Sequence, residues 1–308
     1  MKILLLGANG QLGRTFLDDG GLAARGQLIA ASRDGVLSQG GHGEVADLSA
    51  PSTLNALLDR VKPALIVNAA AYTAVDRAET EVELANRVNG EAVGMLGRWA
   101  AQHDARVIHY STDYVFDGKQ SDPYTTAATP APIGVYGHSK LLGEVALRDS
   151  GCRHLILRTA WVYAAHGQNF LRTMLRLGGD RDELRVVADQ HGAPTDTTLI
   201  VRASLAALDR WMSPGSERIA STHHLVSSGA TTWHAFADMI FDQAIATGLM
   251  TRRPKVTAIP SADFPTPAER PAWSLLDNSK FQRDFHFVLP DWQTGLREVM
   301  QKLANASP

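Results

Sequence analysis

The sequence has little of what marks an extracellular, membrane-spanning or nucleic-acid-binding protein. Its 308 residues include one cysteine, Cys152, so no internal disulfide can form and a reducing compartment is expected. Long apolar runs are missing as well. Ile3-Leu4-Leu5-Leu6 stops at Gly7, too short for a signal-peptide core and far short of the roughly 20 apolar residues of a membrane span. Neither sign of charge dominates: 30 Lys and Arg face 32 Asp and Glu, a net charge of −2. No global field therefore favours nucleic acid or a membrane surface, although a local basic cluster could still hold an anionic small molecule. There is no internal repeat and no low-complexity tract. The 11 histidines form no paired ligand motif with cysteines or carboxylates. His223 and His224 are adjacent and would point to opposite faces of an extended segment, so no metal site is expected. What remains is a globular, cytoplasmic protein whose 44% hydrophobic residues can build a full-sized core.

The first half of the chain alternates short apolar runs with helical patterns. Strands are expected at Lys2–Leu6, Gln27–Ala31, Ala64–Asn68, Arg106–Ser111 and His154–Arg158, each apolar throughout, as strands covered on both faces should be. Helices are expected at Gln11–Asp19, Pro51–Arg60, Glu81–His103 and Tyr136–Arg148, with Pro51 in a first turn and Ser49 as its cap. Glu79, Glu81 and Glu83 suit the positive end of the third of these helices. The fold class that follows is α/β, a doubly wound parallel sheet of Rossmann type. Past Thr159 loops lengthen, and proline and aromatic residues gather in Pro260–Trp273; helices are expected at Asn169–Leu177, Asp196–Trp211, Thr231–Thr247 and Asp291–Ala304. This divides the chain into a dinucleotide-binding domain over 1–160, with a return at 190–225, and a smaller C-terminal substrate-binding region over 161–189 and 226–308.

Gly7-Ala-Asn9-Gly10-Gln11-Leu12-Gly13 joins the first strand to the first helix. Its glycines permit a tight turn, and the helix start offers free N–H groups to a pyrophosphate. The second strand runs into Ser32-Arg33-Asp34. An arginine suits a 2′-phosphate and an acid suits a free ribose diol, so NADPH is favoured and NADH remains open. Asp47 and Leu48 are further expected cofactor contacts. Ala69, Ala70 and Ala71 follow the third expected strand and are small enough to let a nicotinamide ribose approach the backbone. Tyr136 and Lys140 stand four apart, on one face of a helix, where a cation would lower the phenol's pKa. Thr112 ends the fourth expected strand, where open α/β sheets place their ligands, and can bond a substrate oxygen. His109 reads as a core or cleft residue. Asn89 reads either as packing or as a bond to a carbonyl near the site, and Trp161 either as packing or as a flat wall.

Longer motifs carry a resemblance. They are Val67-Asn-Ala-Ala-Ala-Tyr-Thr-Ala-Val-Asp76, Ser111-Thr-Asp-Tyr-Val-Phe-Asp-Gly118, Tyr136-Gly-His-Ser-Lys140, Arg158-Thr-Ala-Trp-Val-Tyr163 and Gln190-His-Gly-Ala-Pro-Thr195. With the glycine loop they make the chain resemble, nearly end to end, the dTDP-4-dehydrorhamnose reductases of the extended short-chain dehydrogenase/reductase superfamily. The resemblance implies Thr112, Tyr136 and Lys140 as the catalytic triad. It implies Val75, Asp113, Tyr114, Trp161, Asn169 and Arg270 as residues that hold a dTDP-linked 4-keto sugar. The implied reaction reduces that keto group with NAD(P)H to dTDP-L-rhamnose, a precursor of surface polysaccharide. Some members bind Mg2+ through acidic side chains at a dimer contact. Thr15 stands where that pattern carries a Glu, so catalysis without metal is expected from a monomer or a homodimer that lacks it. The rivals are a 4,6-dehydratase or C4-epimerase on the same fold, and a redox-inert, cofactor-binding regulatory subunit. Thr112-Asp113-Tyr114 lacks the Glu of the dehydratase signature, which counts against dehydration.

Overall fold

The computed structural model describes residues 1–215 and 221–306; part of the expected return, 216–220, lies outside the described residues. The apolar runs become β1 (Lys2–Leu6), β2 (Gln27–Ser32), β4 (Leu65–Asn68), β5 (Arg106–Thr112) and β6 (Arg153–Thr159), with a short β3 (Glu44–Val45) between β2 and β4. With Thr222–His224 they form a seven-stranded sheet in the order Thr222–His224, β6, β5, β4, β1, β2, β3. Every neighbouring pair in it is parallel. The order reverses beside β1, and the crevice past the carboxyl ends of β1 and β4 is where such sheets bind ligands.

Successive residues of each strand feed opposite layers. Ile3, Leu5, Val67, Ile108 and Leu157 pack with Phe16 and with Leu199, Ala203 and Leu208 of the helix Thr197–Met212. Leu4, Leu6, Ile66, Val107 and Ile156 pack with Leu54, Leu58, Leu96 and Trp99 on the other face. Two covered faces explain why the strands show no polar alternation.

The structure departs from expectation in several places. Ser49 does not cap the helix Pro51–Val61: Asp47 takes the Ser49 amide (2.9 Å) and hydroxyl (2.7 Å), and Ala50 is the N-cap residue. The expected helix Glu81–His103 is interrupted, running as Val82–Asn86, a π-turn at Arg87–Glu91, and Ala92–Gln102. Glu79 serves a different helix from the one beside it, accepting the Val135 amide (2.9 Å) at the start of Val135–Asp149. Finally, Glu183–Val187 and Lys255–Ile259, where no strand is expected, pair as parallel strands. They border a third cluster in which Leu171, Met174, Phe236, Ile240, Leu296 and Met300 join the helices Phe170–Asp180, Trp233–Ala246 and Trp292–Ala306.

Candidate active site

The phosphate loop is shaped by backbone contact. A Cβ on Gly13 would lie 2.1 Å from the Gly7 carbonyl oxygen, so only glycine lets the helix Gln11–Asp19 start this close to β1. Gly10 gives that helix no side-chain cap and its first turn carries no acid, which leaves N–H groups and the positive dipole end for an anion. The residues therefore fit a dinucleotide pyrophosphate. Asn9 braces the loop from outside, donating to the Val36 carbonyl (2.7 Å) and accepting from the Ser38 amide (2.8 Å). Leu12 packs into the core beneath, and Leu48 is buried in the opposite layer. Ser32 is buried at the end of β2 and bonds the Asp34 carboxylate (3.2 Å), which also takes the Val36 amide (3.1 Å). That amide, first, and the Ser32 hydroxyl hold Asp34 below the ordinary carboxylate range. Arg33, between them, is exposed. Asp47 is occupied with Ser49. The half-buried segment Ala69–Ala71 lies against the loop: a Cβ on Gly7 would meet the Ala70 nitrogen at 2.6 Å.

Thr112 and Tyr136 come together at the end of β5. Thr112 begins a tight turn, accepts the Tyr114 amide (3.2 Å) and donates to Asp113 Oδ1 (2.9 Å). Burial lifts the Asp113 carboxyl to about 6. The helix Val135–Asp149 presses close at Gly137, where a Cβ would sit 2.1 Å from the Tyr114 carbonyl oxygen, and this brings the Tyr136 phenol to the Thr112 hydroxyl. Tyr114 meets the Tyr136 ring edge-on, centroids 5.5 Å apart. Asn89, on the π-turn, accepts the Tyr72 amide (2.9 Å) and donates to the Tyr72 carbonyl (3.0 Å) and Ser139 (2.9 Å), fastening the loop after β4 to the helix that carries Tyr136. π-turns recur at functional sites.

One expectation is corrected. Lys140 does not lower the Tyr136 pKa as the residues stand. Its Nζ donates to the Tyr110 carbonyl (2.6 Å) and lies 3.4 Å from His109 Nε2. Burial instead pushes Tyr136 well above the ordinary phenol value; the Thr112 hydroxyl opposes this and Asp113 adds to it. Such a phenol keeps its proton, which is what a proton donor requires. Lys140 is itself buried, and desolvation holds it at about 8 although Glu144 pulls the other way.

The other expected substrate residues spread around this centre. Val75 opens a short helix, Val75–Ala78, and is half-buried. Next to it Asp76 holds Arg270 (2.8 Å), and Arg270 reaches Tyr114. Trp161 has the left-handed backbone (φ 48°) and stacks on Trp233 with centroids 3.5 Å apart. A Cβ on Gly192 would lie 2.4 Å from the Trp161 indole. Asn169 caps the helix Phe170–Asp180 through the Arg172 amide (3.0 Å) and donates to Gln11 in the phosphate loop (2.7 Å). Gly192 falls inside the Gln190–Thr195 motif, whereas Glu79, His109 and Trp233 shape the site without any spacing or motif in the sequence to announce it.

A phenol that retains its proton beside a dinucleotide cleft, with a second lobe to hold a large substrate, is the arrangement of an NAD(P)-dependent oxidoreductase of the extended short-chain type. Comparison with known proteins narrows this. The family described as RmlD substrate binding domain matches residues 1–305. The dTDP-4-dehydrorhamnose reductase of Escherichia coli K12 is 42% identical over 303 residues, 98% of each chain. A dTDP-4-dehydrorhamnose reductase structure from Clostridium acetobutylicum is 34% identical and superposes with a TM-score of 0.87 over 98% of this chain and 99% of that one. One from Bacillus anthracis, in complex with NADP, is 29% identical with a TM-score of 0.84 over the same shares. The chain belongs to the dTDP-4-dehydrorhamnose reductase family.

Proposed function

We propose that this chain reduces the C4 keto group of dTDP-4-dehydro-L-rhamnose to dTDP-L-rhamnose with Tyr136 as proton donor, Thr112 and Lys140 as its partners, and NADPH as the preferred cofactor. The observation that carries the reading is the placement of Tyr136 beside Thr112 at the open end of β5, in a chain 42% identical to a reductase of that name. When bound, the nicotinamide supplies hydride to the keto carbon. Gly7, Gly10, Gln11 and Gly13 hold the pyrophosphate, with Asn9 bracing their loop from outside. Ser32 and Arg33 meet the adenosine ribose and its 2′-phosphate, with the exposed Arg33 guanidinium supplying the charge that the phosphate needs. Ala69–Ala71 leave room for the nicotinamide ribose. Tyr136 releases its proton onto the developing alkoxide, and the Thr112 hydroxyl, once it turns from Asp113 Oδ1, donates to the same oxygen. Trp161 and Arg270 border the sugar nucleotide. The division into a dinucleotide-binding part (1–160 and 190–225) and a substrate-binding part (161–189 and 226–308) matches these roles.

Residues that would hold Mg2+ do not fit here. Thr15 is buried, and its hydroxyl donates to the Gln11 carbonyl (2.9 Å) while bonding Thr197 Oγ1 (2.8 Å) inside the packing of two helices. No step is assigned to a metal.

The direct test is NADPH oxidation with dTDP-4-dehydro-L-rhamnose beside its UDP counterpart. Turnover selective for the dTDP sugar is expected; none with either would remove the proposal, and turnover without net NADPH consumption would indicate an epimerase. Arg33→Ala should raise the NADPH KM about tenfold or more and leave NADH nearly unchanged, because a charge-assisted bond is worth about 1.5–3 kcal/mol. Equal effects on both would make Arg33 structural.

A further inference from the structure

We propose that His109 is a positioning residue that favours Lys140 as the neutral amine in mildly alkaline solution, so that dinucleotide binding there is coupled to uptake of a proton by Lys140. This rests on the dinucleotide-binding reading above. At the end of β4, Asn68 Oδ1 accepts the Ala70 amide (3.2 Å), a group that can only donate. The carboxamide is thereby oriented, and its Nδ2 donates toward His109 Nδ1 at 3.1 Å. Nδ1 is then the bare nitrogen, and the neutral ring carries its proton on Nε2. A doubly protonated ring would set donor against donor at Nδ1, and complete burial already pushes His109 protonation well down in pH.

The Nε2–H faces Lys140 Nζ at 3.4 Å. An ammonium has three donors and no lone pair, so it would oppose N–H to N–H. The amine satisfies both neighbours: it accepts from His109 Nε2–H and donates to the Tyr110 carbonyl (2.6 Å). The remaining titratable groups around the pair leave this balance in place. Glu144, one turn along the catalytic helix, is shared between Arg158 and Arg148. His154, which acts on His109 from β6, is kept neutral by burial. Burial disfavours the ammonium as well. Ribose hydroxyl oxygens can accept from an ammonium where Nε2–H cannot. The proton comes from solvent and goes to Nζ, His109 keeps its own, and no electrons move.

The test is calorimetric binding of NADP+, which cannot reduce the substrate, in buffers of different ionisation enthalpy. At pH 8.5 the 2′-phosphate is fully ionised, its second pKa being near 6. Native protein should take up about half a proton or more at pH 8.5 and almost none at pH 6.5. Lys140→Met should abolish the uptake. In His109→Gln an amide oxygen can accept from the ammonium, so uptake at pH 8.5 should fall, and the alkaline limb of kcat/KM should move up by about one pH unit. Binding by the native protein with no uptake at pH 8.5 overturns the proposal, as does uptake that survives Lys140→Met or is unchanged in His109→Gln. Failure to bind NADP+ at all would instead sink the dinucleotide reading beneath it.

Discussion

At the scale of single side chains, the chemistry depends on where protons rest before the reaction. Tyr136 keeps its own because burial disfavours the phenolate and Asp113 lies close by. Tyr136→Phe removes one O–H and little volume, so cofactor affinity should persist while turnover falls by about 10²–10⁴-fold, the usual worth of general acid catalysis. A rate within about threefold of the parent would take Tyr136 out of the role. A candidate trio of Thr112, Tyr136 and Lys140 could be named from residue types, their order along the chain and the family resemblance. Its wiring could not. Lys140 lies four residues after Tyr136, yet its partners are His109 and the Tyr110 carbonyl on β5, and the tautomer of His109 depends on Asn68 on β4. Such links exist only once parallel strands are in register, where Asn68 and His109 stand side by side.

At the scale of elements, close backbone approaches set the geometry. Gly192 lies against Trp161 so tightly that Gly192→Ala must move the indole off its stack on Trp233. Overpacking of this kind costs about 1–3 kcal/mol, which urea unfolding would read. The KM for the sugar nucleotide should rise while that for NADPH holds. An unchanged sugar KM would mean that Trp161 does not border the substrate. The long apolar strands were legible because both faces are covered. β3 and Thr222–His224 were not: they have two and three residues, lie at the sheet edges, and carry polar side chains. In Thr222–His224 the two histidines are buried apart, His223 on Asp284 (2.9 Å) and His224 on the Asp277 carbonyl (3.1 Å). The π-turn at Arg87–Glu91 was equally hidden, since one added residue barely disturbs a helical pattern read over many turns.

For the whole molecule, the assembly question turns on Thr15. Mg2+ requires oxygen ligands with charge to offset its own, and a buried hydroxyl already bonded to Thr197 offers none. Turnover should therefore be the same in EDTA as in millimolar Mg2+, and sedimentation should show one mass, monomer or dimer, in both. A Mg2+-dependent mass or loss of turnover in EDTA would contradict this. Among the described residues several links join 1–160 to the C-terminal region, and they are of unequal strength. At the phosphate end Gln11 receives both Asn169 Nδ2 on its side chain and His166 Nε2 on its carbonyl. At the other end stands the Arg270–Asp76 pair, whose side chains are 27% and 40% exposed. Ion pairs that wet contribute about 0–1 kcal/mol. The exposed pair is thus a latch over a rivet: Tyr124 exchanges backbone bonds with Leu275 and Asp277 (2.8 Å each), which join the two regions whether or not the ion pair forms.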